Sequence, residues 1–180
     1  MRKFAGKAEF QVTWLPYQLA PYAPGGKGVN KLELYKQKFG DAQTQQMMPR
    51  MMLVGMQDGI HFSYGGNTGN TFDSHRLIAL ASKQGKQDEL VEELFQNYFE
   101  QEKCISDCDV LLQAALKVGL IAAEELLNGD ANVEEVQAEI QQCEMIATRG
   151  VPQFVINGRP IAPGAQDVAE FERRFLELLA

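Results

Sequence analysis

The sequence predicts an α/β domain in which the two ends of the chain supply a small sheet and a block of helices fills the middle. Three observations carry this reading. Ala8 to Leu15 alternates, with Phe10, Val12 and Trp14 on one side and Gln11 and Thr13 on the other, until Pro16 stops it. Between Asp41 and Arg149 the dominant apolar period is helical. From Gln153 to Ile156 the pattern turns to that of a strand, and Asn157-Gly158 forms a two-residue hairpin turn that returns through Arg159 to Ile161.

At 180 residues and 45% hydrophobic content, the chain has the size and apolar material for a single core. Seventeen Lys and Arg against 24 Asp and Glu leave a net charge of -7, so a phosphate backbone is repelled and nucleic acid is not an expected partner. The basic residues gather early, with eight of them and only three acids in residues 1–50. Most of the acid falls between Asp88 and Glu144, on what reads as the solvated face of helices. Apolar runs such as Val118 to Ala123 fall far short of a membrane span, and Met1 to Lys7 does not resemble a signal peptide. Three scattered cysteines, Cys104, Cys108 and Cys143, do not make a disulfide framework, which points to a reducing, cytoplasmic setting.

The elements follow in order. After the first strand, Pro16, Pro21, Pro24 and the cluster Gly25, Gly26 and Gly28 predict an irregular connection. Asn30 with Glu33 starts a helix that carries Leu32, Tyr35 and Phe39 on one face and ends at Gly40. A second helix runs from Asp41 to about Gln57, kinked or delayed by Pro49. Its methionines, Met47, Met48, Met51, Met52 and Met56, have the spacing that burial produces and are read as core, although a Met-rich face can also receive peptides. Ile60 to Tyr64 fits a strand or a loop, and Gly65 to Asn70 a turn. Helices follow from Thr71 to Ser82, along the amphipathic stretch Leu90 to Phe99, from Ser106 with Asp109 as its opening pair to Gly119, in a short stretch ending at Gly129, and from Asn132 with Glu135 to Gly150. The last helix begins at Asp167 with Glu170 as capping-box partner, and Val168, Phe171, Phe175 and Leu178 face inward.

Several blocks of sequence carry a resemblance. Gly150-Val151-Pro152-Gln153-Phe154-Val155-Ile156-Asn157-Gly158 resembles the G-V-P-x-F-V-I-N-G block of DsbA-like thioredoxin-fold proteins. Asn70 to Arg76, Ile105-Ser106-Asp107, Pro163-Gly164-Ala165-Gln166 and Trp14 to Leu19 resemble segments of the FrnE and 2-hydroxychromene-2-carboxylate isomerase branch, with Pro163 in place of the usual Ser. The match runs in order from about residue 8 to the C-terminus. The resemblance implies a thioredoxin-like fold of the DsbA type, with residues 1–40 and 150–180 as the thioredoxin-like part and 41–149 as a large helical insertion. It implies a cis bond before Pro152, with Val151 and Pro152 orienting an extended substrate as an added strand. It also places His75 and Arg76 at the border of the substrate groove, although His75 equally fits a helix residue bonded to the preceding turn.

The family's chemistry lies in a C-x-x-C motif at the start of a helix that follows a first strand, where the helix N-terminus favours a thiolate. Neither feature is present in this sequence, which reads as truncated at its N-terminus. The strands at Phe10 to Leu15 and Phe154 to Ile156 are therefore expected to lack a neighbour, which a domain swap, a homodimer or a strand from a partner would supply. Cys104 and Cys108 are the remaining candidates for redox thiols. Cys108 gains from a helix N-terminus, but Asp107 and Asp109 flank it, and the spacing is not the family's, so two unlinked reduced thiols is the preferred reading. Cys143 reads as an apolar filler, and His61 and His75 are too isolated for a metal site.

The leading functional expectation is a DsbA/FrnE-like thiol-disulfide oxidoreductase domain that is inactive without C-x-x-C, needs no cofactor and takes protein or small-molecule thiols and disulfides as partners. A glutathione-dependent isomerase or kappa-type transferase, with glutathione as substrate and a Ser in place of the first redox Cys, is the enzymatic alternative. A redox-inactive peptide-binding module is the other.

Overall fold

The structure, a computed structural model, describes residues 2–179. The chain forms two compact units, Gln18–Val136 and Met1–Tyr17 together with Gln137–Ala180. Most of the expected helical insertion, 41–149, belongs to the first of these.

The helical unit opens with strand β1 (Val29–Asn30), helix α1 (Lys31–Phe39) and helix α2 (Asp41–Gln57). Asn30 caps α1 as its sequence predicts, its Oδ1 accepting the Glu33 N–H at 3.0 Å, and Gly40 ends the helix at φ 80°. Pro49 lies inside α2, which continues through it. Strand β2 (Asn67–Thr68) pairs antiparallel with β1, setting Val29 opposite Thr68 and Asn30 opposite Asn67. The stretch Gly65 to Asn70, expected as a turn alone, therefore also supplies a strand, because its backbone groups find partners almost forty residues upstream. Ile60 to Tyr64 has no regular structure, although Ser63 donates its N–H to the Phe99 carbonyl at 2.7 Å.

Helices α3 (Phe72–Lys83), α4 (Gln87–Phe95), α5 (Cys108–Lys117) and α6 (Ala123–Asn128) then pack around one core. Leu77, Ala81, Leu90, Leu94, Leu111 and Ala115 lie at its centre. Their spacing along each helix is what the apolar period predicts, and full burial of each large side chain contributes roughly 1.5–3 kcal/mol. Helix α4 does not stop at a cap. It passes into a π-helical turn over Gln96–Glu100, in which the Gln101 N–H reaches the Gln96 carbonyl five residues back. Lys31 is buried against this turn, with Nζ donating to the Tyr98 carbonyl at 2.8 Å and lying 3.9 Å from the centroid of the Tyr98 ring. Burial pushes the Lys31 ammonium pKa down, opposed by Glu102 and Cys104.

Three sequence expectations are corrected in this unit. Ser106 does not open α5; its hydroxyl donates to the Gly26 carbonyl at 2.7 Å, and Asp107 is the cap, accepting the Asp109 N–H. Asn132, at φ 61°, accepts through its Oδ1 from Lys83 Nζ at 3.0 Å in place of a helix N–H. The methionine face of α2 is not core: only Thr44 and Gly55 of that helix are buried, while Met51, Met52 and Met56 are exposed. Periodicity fixes which residues share a face, but not whether anything covers that face.

Helix α7 (Val133–Ile146) spans the division between the units. The other unit contains a single 3₁₀ turn (Arg2–Phe4), the hairpin β3 (Val155–Ile156) and β4 (Arg159–Pro160), and helix α8 (Val168–Leu179). In the hairpin, Val155 faces Pro160 and Ile156 faces Arg159, and Asn157 and Gly158 take φ 49° and 76°, as a two-residue turn between right-twisted strands requires. Asp167 caps α8 by accepting the Glu170 N–H at 2.7 Å. The core here is aromatic. Phe175 meets Phe4 and Phe10 edge-on, with centroids 5.6 and 4.9 Å apart, and Phe171 meets Phe154 at 4.9 Å. These rings contact only the middle turns of α8, so Val168 and Leu178, expected to face inward, are exposed at its two ends.

Residues 8–15 do not form the expected strand. Among the described residues, 9–13 make no backbone–backbone hydrogen bond, and Val12 and Trp14 are 45% and 41% exposed. An alternating segment becomes a strand only when a neighbour takes up its ladder groups. Among the described residues β3 likewise pairs only with its hairpin return.

Candidate functional site

The hairpin carries the first candidate site at its entrance. Val151 and Pro152 are exposed, and the bond between them is cis. The loop is held in place on its C-terminal side. Gly164 donates its N–H to the Pro152 carbonyl at 2.9 Å, and Gln166 Nε2 donates to the carbonyls of Ala162 and Gly164, which shapes the Pro163 to Gln166 turn beneath Pro152. Gln153 Nε2 bridges the carbonyls of Phe154 and Ile161 at 3.0 and 2.9 Å, tying the hairpin's two arms together. Val151 itself is 40% exposed, and its main-chain N–H and C=O have no hydrogen-bond partner among the described residues. Such a residue, fixed in position and with its peptide groups open, can accept an extended chain as an added strand.

The other expected groove residues belong to the helical unit. Arg76 is only 5% exposed. Its guanidinium donates to Asp73 Oδ1 at 2.8 Å, to the Leu126 carbonyl at 2.7 Å, to the Gly129 carbonyl at 2.5 Å, and to the Ala131 carbonyl from Nε and Nη2. It therefore staples α3 to the segment after α6 and is spent on its own chain. His75 is half-buried, with Nε2 3.4 Å from Thr71 Oγ1, the contact expected of a helix residue bonded to the preceding turn.

Asn70 has a role that sequence reasoning missed. Its N–H donates to the Pro24 carbonyl, its Nδ2 to the Pro21 carbonyl, and its Oδ1 accepts from Gln18 Nε2 and the Phe72 N–H. One side chain thus orders the proline- and glycine-rich connection and starts α3. The signal was its position at the head of the Asn70 to Arg76 segment, where an Asn before a helix is a capping residue.

Cys104, Cys108 and Cys143 are all free. Cys104 is buried, with Sγ 3.1 Å from Ser106 Oγ and 3.8 Å from the Gly26 carbonyl. Cys108 is exposed at the first position of α5. Burial of its sulfur is the largest influence pushing its thiol pKa up, followed by Asp73, Asp107 and Asp109. The Asp73 contribution, from α3, could not be read from local sequence. A raised pKa keeps Cys108 a thiol where an attacking cysteine needs to be a thiolate. Site-resolved alkylation with iodoacetamide is expected to show Cys108 reaching half its maximal rate at a pH above that of a free cysteine, about 8.5. A midpoint below that value would contradict this electrostatic account.

The chain matches the DsbA-like thioredoxin domain over residues 1–176. It belongs to the DsbA-like thioredoxin family. The solved structure of a probable DsbA oxidoreductase from Streptomyces coelicolor resembles this DsbA-like chain with a TM-score of 0.81 and 23% identity, covering 91% of this chain and 73% of the other. At that identity the likeness shows the fold, a DsbA-type thioredoxin fold with a helical insertion. No match was found among curated proteins. Within the family frame, the Val151–Pro152 loop is the candidate site of this DsbA-like chain, and Arg76 is part of its framework.

Proposed function

We propose that this chain is the substrate-docking scaffold of a thiol-disulfide oxidoreductase of the DsbA kind, in the FrnE and 2-hydroxychromene-2-carboxylate isomerase branch. Its partners are proteins or small molecules carrying thiols or disulfides. The observation that carries the reading is the Val151 main chain, which is exposed, unpaired among the described residues and held in place by the Pro152–Gly164 contact and the Gln153 bridge. An extended substrate pairs there as an additional strand and gains two main-chain hydrogen bonds, each with a net value of about 1 kcal/mol. The family match over residues 1–176 supports the reading, as do the branch-type segments at Asn70 to Arg76 and Pro163 to Gln166. The cysteines present do not exchange electrons: Cys104 is buried, and Cys108 is held as a thiol by its surroundings.

The test is amide hydrogen exchange on the full chain with and without an extended peptide containing a disulfide. The Val151 amide is expected to become at least about tenfold better protected at saturating peptide. Peptide binding that leaves Val151 unprotected would overturn the proposal. Protection produced by glutathione, with no response to peptide, would replace it with the glutathione-dependent alternative.

A further inference from the structure

The Val151–Pro152 loop stands in a stretch without acid, in a chain where acid predominates. Residues 145–166, from the last turn of α7 through the hairpin to Gln166, contain Arg149 and Arg159 and no Asp or Glu, although acids outnumber Lys and Arg by 24 to 17 overall. Both arginines are exposed, and neither makes an ion pair among the described residues. The acids on either side of this stretch do not offset them. Glu170 and Glu177 pair with arginines of α8 itself, and Glu172 pairs with Lys3. Asp167 is turned to the Glu170 N–H as the helix cap. Glu144, five residues before Arg149, makes no ion pair with it.

Position decides which arginine matters more. Arg149 stands in a turn closed by the Gly150 N–H on the Ala147 carbonyl at 2.8 Å, and it precedes Val151 by two residues. Two residues of chain span at most about 7 Å, so its charge acts on whatever pairs with the open Val151 main chain. Arg159 opens β4, level with Ile156 across the hairpin, and lies further along. A guanidinium without a partner in its own chain is matched best by a planar carboxylate. Because the loop takes an extended chain, that carboxylate is one a peptide carries.

We propose that the docking loop selects acidic substrates, extended peptides whose thiol or disulfide cysteine is flanked by Asp or Glu, with Arg149 as the main specificity-determining residue and Arg159 as the lesser one. The proposal rests on the reading of Val151 as the docking residue. An exposed ion pair of this kind changes affinity by up to about fivefold.

The test titrates the full chain with short peptides that carry one cysteine as a mixed disulfide with 2-mercaptoethanol and differ only in having Glu, Ser or Lys on both sides of it. Amide exchange at Val151 is followed in the same titrations. At about 0.1 M salt, where the Debye length is about 10 Å, the Glu peptide is expected to bind about fivefold tighter than the Ser peptide and the Lys peptide about fivefold weaker. At about 1 M salt the three should agree within about twofold. Arg149→Glu should reverse the order, and Arg159→Gln should lower the Glu-over-Ser preference only to about threefold. A Ser peptide that protects Val151 while the Glu peptide binds no tighter, or a Glu preference unmoved by Arg149→Glu, would overturn the charge selection and leave docking at Val151 intact. Failure of all three peptides to protect Val151 would remove the docking reading and the selection with it.

Discussion

Arg76→Met is expected to lower the stability of the helical unit by about 3–5 kcal/mol, a cost set by buried acceptors left without a donor. The guanidinium of Arg76 serves Asp73 and the carbonyls of Leu126, Gly129 and Ala131 from a position only 5% exposed. Methionine fills much of the same volume but leaves these oxygens facing an apolar side chain. Arg76→Lys should recover less than half the loss, because a single ammonium cannot satisfy acceptors arranged around a planar fork. Urea unfolding gives the measurement: the midpoint falls while the slope stays unchanged. An Arg76→Met variant within about 1 kcal/mol of the parent would show that these bonds contribute little net stability.

The second large effect is expected at Gly66. Its φ is +73°, and a Cβ placed there would lie 2.0 Å from the Glu102 carbonyl oxygen, a backbone atom that cannot rotate away. Gly66→Ala therefore combines a left-handed backbone penalty with displacement of the 100–103 segment, for a loss of about 2–4 kcal/mol. The Lys31 N–H donates to the Gly66 carbonyl at 3.0 Å, so the shift also disturbs the start of α1 and the β1–β2 pairing. Gly59→Ala is the control, because Gly59 has a similar φ of +75° with nothing within 4 Å of the added carbon. Differential calorimetry should show the Gly66 variant melting well below the Gly59 variant, and equal melting would assign the whole cost to backbone conformation.

Local features of the fold were legible in the sequence where the interaction spans only a few residues. Asn30 with Glu33, Asp167 with Glu170, and the Asn157-Gly158 turn carry their own instructions, and each forms the contact its spacing implies. The β1–β2 ladder was not legible. It joins Val29–Asn30 to Asn67–Thr68 across two helices, and no local pattern marks either strand. The strand expected at Ala8 to Leu15 shows the converse case: its alternation is clear, but a strand also needs a neighbour, and residues 9–13 have no backbone partner among the described residues. For α2, the period correctly grouped the methionines while the inference of burial failed, since exposure depends on what else packs there.

The candidate site divides in the same way. Val151 and Pro152 were identified from a contiguous block of residues, and the structure places them on an exposed loop where the Val151 main chain is open while the Pro152 carbonyl accepts from Gly164. Arg76 was identified from its segment alone, and its burial comes from carbonyls about fifty residues further along. For Cys108 the neighbouring aspartates were visible in the sequence, while the burial that dominates and the contribution of Asp73 from α3 required the fold.

The central claim is that this DsbA-like chain holds a docking loop while its own thiols take no part in exchange. Turnover of insulin disulfides, or of a small chromogenic disulfide, by the full chain with dithiothreitol tests it most directly. The account predicts no rate above the uncatalysed thiol background, with C104S and C108S indistinguishable from the parent. Turnover abolished by either substitution would contradict it.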